Sequence, residues 1–166
     1  MIHRLGFRAM GTEMLVCVDN GSDTPPVELA NVPVWFEEWE EVLSRFRVDS
    51  ELTRLNRTSN WLVPVSETLW QVFQSALSAE KYTDGLVTPT IARAVIEAGY
   101  DRDFNLFAGN ILSALEQNPE TVRMLDSVTW DESTHSINLP EDVELDFGGI
   151  AKGWAAEQAV QRLKHH

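Results

Sequence analysis

Asp146-Phe147-Gly148-Gly149-Ile150-Ala151-Lys152-Gly153 is the stretch on which the reading of this chain turns. Residues 144–147 read as a strand and 150–163 as a helix, with Gly148-Gly149 as the turn between them. A helix N-terminus exposes unpaired amides and about half a positive charge. Two glycines let an anionic group approach that backbone without a Cβ in the way. Lys152, one turn in, adds a mobile cation. Asp146 offers a carboxylate to a ring N–H, a ribose hydroxyl or a metal. The unit suits a pyrophosphate, but Gly-Gly turns before helices are also common structural devices, and the residues leave both readings open. The spacings of a P-loop and of the Gly-x-Gly-x-x-Gly fingerprint are both absent.

Upstream, 7–18 reads as a strand that pauses at Gly11, followed by a loop over 19–33 containing three prolines. Trp35, Phe36, Trp39, Val42, Leu43 and Phe46 recur at three-and-four spacing, which predicts an amphipathic helix with an aromatic stripe. Glu37, Glu38, Glu40 and Glu41 fall on its other side and read as a solvated face rather than a metal site. Residues 61–65 look extended. Ser66 is a candidate N-cap for a helix that buries Leu69, Val72, Phe73, Ala76 and Leu77 and fades near Tyr82. Pro89 can start a third helix, with Ile91, Val95 and Ile96 packed inward and Gly99 closing it. A short helix is expected around 111–117. Residues 127–130 and 136–139 predict a β-hairpin. Hairpins interspersed with helices indicate α+β, a mixed or antiparallel sheet with helices packed on it, rather than regular βαβ alternation.

The chain has 166 residues, enough for one domain or a sizeable piece of one, and its 43% apolar content supports a packed core. Its formal charge of −13, from 26 acidic and 13 basic residues, argues against nucleic acid and anionic lipid as partners. An anionic cofactor needs only a few local donors and remains compatible. The single cysteine, Cys17, has no internal disulfide partner and reads as a small buried residue on a strand. No membrane-spanning run and no signal peptide are visible, so the expected location of the chain in this form is cytoplasmic, with export only if the N-terminus was trimmed. His3, His135, His165 and His166 make no metal-ligand spacing.

Four collinear segments resemble one family. Residues 146–153 resemble the D-[LF]-G-[GA]-I-A-K-G signature of the ApbE family of FAD:protein FMN transferases, and Trp154-Ala155-Ala156-Glu157 resembles the helix that follows it. Ala9-Met10-Gly11-Thr12 is similar to that family's early A/T-M-G-T. Phe46-Arg47-Val48-Asp49-Ser50-Glu51-Leu52 with Leu55-Asn56 is similar to S-x-[YF]-x-x-x-S-E-L-x-x-L-N. Thr83-Asp84-Gly85-Leu86-Val87-Thr88-Pro89-Thr90 is similar to S-x-G-x-F-D-P-T, with Val87 and Thr88 in place of the usual Phe and Asp.

The resemblance implies a T-fold-like α+β domain that holds FAD, splits its pyrophosphate with Mg2+, and attaches FMN to a threonine or serine of an acceptor protein. It implies cofactor contacts at Met10, Phe46, Leu86, Val87, Thr88, Asp146 and Lys152, and a Mg2+ ligand in the Gly149 backbone carbonyl. The family's T-S-G, H-x-x-[DN]-P-x-x-G and A-D-x-x-[ST]-T segments do not occur here. The expectation is therefore a single partial domain over 1–166 that lacks the carboxy-terminal half. The chain by itself is expected to be weakly active or inactive, as a remnant or truncated form, unless a homodimer or a second chain supplies the rest, as in a split enzyme. The alternative is a non-catalytic binding or assembly module.

Overall fold

The computed structural model describes residues 1–97 and 125–164. The chain opens with a hairpin of β1 (Ile2–Ala9) and β2 (Thr12–Asp19). The expected pause at Gly11 is a full reversal, and the first strand starts earlier than its apolar pattern suggested. Met10 and Gly11 take φ values of 49° and 72°. Positive φ at both central residues is what a two-residue turn needs to match the twist of its strands, and glycine adopts it without strain. Cys17 is exposed, which corrects its reading as a buried residue. In a two-stranded ribbon alternate side chains face away from the core, and Cys17 falls in that set with Leu15.

A short 3-10 turn (Val27–Asn31) leads into α1 (Val32–Leu43). This helix buries Phe36, Trp39 and Leu43 of the predicted stripe, together with Val32, while Trp35 and Val42 are half-buried. Phe46 lies beyond the helix end and is partly exposed, so it does not extend that stripe into the core. α2 (Glu51–Asn56), which the periodicity did not reveal, is capped by Ser50, whose side chain accepts the Thr53 N–H. α3 (Glu67–Tyr82) is capped as expected by the Ser66 side chain at the Leu69 N–H. α4 (Ala92–Glu97) begins after Pro89; Ala92 is buried, Ile91 and Val95 are half-buried and Ile96 is exposed. The expectations for Gly99, for 111–117 and for His165 and His166 lie outside the described residues.

A second sheet has strand order β3-β5-β4, from β3 (Val63–Pro64), β4 (Thr129–Asp131) and β5 (Ser136–Asn138), with every ladder antiparallel. The predicted hairpin of β4 and β5 is present. Residues 144–147 do not form the expected strand. Their backbone is satisfied otherwise: the Asn56 side chain donates to the Leu145 carbonyl at 2.8 Å and accepts its N–H at 2.9 Å, and Asp146 N–H donates to Pro89 O at 2.8 Å. A side-chain amide carries the same donor and acceptor as a peptide group, so Asn56 substitutes for a strand neighbour. α5 (Ala151–Lys164) follows the Gly148-Gly149 turn.

Helices α1, α3 and α5 enclose one core with Leu52, Ile137, Leu145 and Phe147. An edge-to-face relay crosses it: Phe7 meets Phe36 at 5.2 Å, Phe36 meets Trp39 at 5.3 Å, and Trp39 meets Trp154 at 5.5 Å between ring centroids. Such pairs contribute about 0.5–1.5 kcal/mol each beyond area burial. The relay holds the first hairpin, α1 and α5 in fixed relation, and the cleft described next opens where their ends meet.

Candidate functional site

Three segments distant in sequence wall a cleft of about 330 Å³: the turn at Met10, Gly11 and Thr12, the stretch from Glu40 through Arg47, and the turn from Asp146 into the first residues of α5. That volume lies in the ~300–1,000 Å³ range of small-molecule sites. Leu43, Phe46, Phe147, Ala151 and Met10 give it apolar surface, and Arg45, Arg47 and Lys152 give it cations.

The polar groups are interlocked. Arg45 Nε is 2.8 Å from Asp146 Oδ2, and both side chains are nearly buried. Asp146 Oδ1 accepts the Gly148 N–H at 2.6 Å. The Arg45 guanidinium lies 4.1 Å from the Phe46 ring centroid, a cation–π contact. Lys152 Nζ donates to the Gly148 carbonyl at 3.0 Å. Glu40 Oε2 accepts the Met10 N–H at 2.7 Å. Arg47 pairs with Glu37 at 2.7 Å and lies 3.7 Å from Glu40. Its hydrogen bond to Glu37, followed by the surrounding carboxylates, raises the Arg47 pKa above its already high ordinary value.

The two glycines differ. A Cβ on Gly148 would come within 2.9 Å of Asp146 Oδ1, so a larger residue there would have to displace that carboxylate. A Cβ on Gly149 would meet nothing within 4 Å. Gly149 is exposed and open to an approaching group.

Of the residues read from sequence, Met10, Phe46, Asp146 and Lys152 converge on this cleft. Leu86, Val87 and Thr88 are not brought into its wall. Leu86 and Val87 are exposed. Thr88 is buried, and its hydroxyl hydrogen-bonds that of Thr90 at 3.0 Å. The segment still adjoins the site through its backbone, since Pro89 O accepts the Asp146 N–H. Sequence reasoning missed Arg45 and Glu40. Glu40 is half-buried, unlike the exposed Glu37, Glu38 and Glu41, and a helical wheel alone does not separate them. Arg45 carries a signal only in its place immediately before Phe46. Among the described residues, no group of three or more His, Cys, Asp or Glu side chains is placed to hold a metal ion. No described helix is long and apolar enough to cross a membrane.

The ApbE family model matches residues 10–166, and the chain belongs to that family. No curated protein matches the chain. Its fold is similar to that of the ApbE protein of Thermotoga maritima, with a TM-score of 0.78 at 22% identity over 97% of this chain and 52% of that one. It is similar to a point mutant of the flavin transferase ApbE of Vibrio cholerae, with a TM-score of 0.80 at 21% identity over 99% of this chain and 54% of that one. The apo flavinyl transferase ApbE of Pseudomonas stutzeri gives 0.76 at 19% identity, over 99% and 53%. At these identities the likeness establishes a shared fold. The chain spans about half the length of each of these structures.

Proposed function

We propose that this member of the ApbE family is a flavin transferase-like protein whose cleft is the FAD-binding part of an FMN-transfer site. The observation that carries the reading is the convergence of Met10, Phe46, Asp146 and Lys152 on one cleft from three separate segments. An isoalloxazine ring is flat, polarizable and apolar on its faces, which suits Met10 and Phe46. A pyrophosphate is anionic and suits Lys152 and the open backbone at Gly149. Asp146 serves as acceptor for a polar edge of the cofactor, and Leu86, Val87 and Thr88 belong to the same proposed set at the neighbouring segment. Residues 1–166 act as one partial domain in this reading.

Mg2+ supplies charge neutralisation to a pyrophosphate when bound. It favours octahedral oxygen ligands that include carboxylates and waters. The Gly149 carbonyl is one such oxygen, but the described residues do not add a carboxylate cluster to it, so they do not fit a complete Mg2+ site. In this reading FMN transfer to a threonine or serine of an acceptor protein draws on further oxygen ligands beyond those of the described residues. The second reading is a flavin-binding or assembly module without catalysis, which the same cleft would serve by holding the cofactor alone.

The test is titration of the purified chain with FAD and Mg2+ in the presence of a threonine-containing acceptor peptide, followed by flavin fluorescence and by mass detection of AMP and of the FMN-bearing peptide. Bound flavin with AMP release and the FMN-bearing peptide supports the transferase; bound flavin without AMP supports the module. A folded chain that leaves FAD fluorescence unchanged at high micromolar concentration refutes both.

A further inference from the structure

We propose that Arg45 is a positioning residue that joins the Asp146 carboxylate and the Phe46 ring into one preset unit before a ligand arrives. The inference rests on the flavin reading above for its functional consequence, but the lock itself is a property of the free protein. Phe46 follows α1 and Asp146 precedes α5, so nothing local in the chain relates them. Arg45 relates them through two contacts, Nε to Asp146 Oδ2 at 2.8 Å and guanidinium to ring centroid at 4.1 Å.

The burial of this pair argues for positioning rather than stability. The side chains of Arg45 and Asp146 are only 8% and 11% exposed. Removing two charges from water offsets most of their mutual attraction, so a buried pair is a poor way to gain stability. It does restrict geometry. With Oδ2 directed at Arg45 and Oδ1 at the Gly148 N–H, both carboxylate oxygens have assigned partners and the group cannot rotate freely. A planar guanidinium can hold a carboxylate edge-on while its face covers an aromatic ring, and a lysine ammonium cannot do both.

The experiment compares wild type, R45M, R45K, D146N and the double variant R45M/D146N, each checked for folding by thermal melt. R45M keeps apolar packing against Phe46 while removing the donor. FAD affinity should fall about 10- to 100-fold in R45M, the range a hydrogen bond to a charged group is worth, and R45K should recover only part of it. The double variant should be no weaker than the weaker single variant, because both remove the same link. Additive losses would mean that Arg45 acts on the ligand directly and would overturn the proposal. In the free protein, the Arg45 Nε–H resonance should be protected from exchange and lose protection in D146N. A freely exchanging Nε–H in wild type would overturn the lock. A protected one in a chain that fails to bind FAD would sustain the lock and refute the flavin reading instead.

Discussion

The carboxylate of Glu40 accepts the backbone N–H of Met10 at 2.7 Å, so a side chain on α1 holds the turn of the first hairpin at the mouth of the cleft. Met10 needs that support because its φ is 49°, a region where a residue with a Cβ is strained by about 1 kcal/mol or more. E40A should destabilise the protein by about 1–3 kcal/mol, the cost of an unmet charged hydrogen bond. E40Q retains an acceptor and should lose less. Urea denaturation gives the stabilities. An FAD titration should show weaker binding in E40A as the Met10 side chain loses its fixed position.

M10G separates backbone from side chain at the same turn. Glycine relieves the positive φ, while losing a side chain packed against the core and loosening the unfolded chain, so the opposing effects should leave stability lowered by no more than about 2 kcal/mol. The thioether is lost with it, so FAD affinity should fall. An M10G variant with undiminished flavin binding would remove Met10 from the proposed contacts.

Asn56 pairs both the N–H and the carbonyl of Leu145, the residue before Asp146. N56A leaves two backbone groups without their partners and should cost about 2–4 kcal/mol, measured by chemical denaturation. N56D keeps the acceptor for the Leu145 N–H but sets a carboxylate against the Leu145 carbonyl, and should be no more stable than N56A. Both variants should also weaken FAD binding, since Asp146 follows directly on the segment released.

Ser50 caps α2 and its hydroxyl donates to the Ser44 carbonyl at 2.5 Å, while the Thr53 hydroxyl donates to the Arg47 carbonyl at 2.8 Å. These bonds close the loop that carries Arg45, Phe46 and Arg47. S50A should cost about 1–2 kcal/mol through the lost cap. Its second effect is a looser loop, which should appear as faster amide exchange at residues 45–47.

In the hairpin of β4 and β5, the Ser133 hydroxyl and then its backbone N–H donate to Asp131 and hold that carboxyl below its ordinary range. A depressed folded-state pKa contributes stability that is fully present above the unfolded value, near pH 4, and is lost as pH falls through the folded value. Thermal melts from pH 5 to pH 2 should therefore show a shallower acid-side loss in S133A than in wild type. The effect should be small, because Asp131 is at the surface.

Local patterns already identify the helices of α1, α3 and α5, the Ser66 cap, the later hairpin and the α+β class, because amphipathic spacing and capping are short-range properties. The signature at 146–153 and the three segments collinear with it indicate the family, which the match over 10–166 establishes. Long-range partners are another matter. The reversal at Met10-Gly11, the replacement of a strand at 144–147 by the Asn56 amide, and the exposure of Cys17 depend on what packs against each segment. So do the half-burial of Glu40 and the buried pairing of Arg45 with Asp146. A sequence lists donors, acceptors and charges, but which ones meet is decided when the Phe7–Phe36–Trp39–Trp154 relay brings the ends of the first hairpin, α1 and α5 to one cleft.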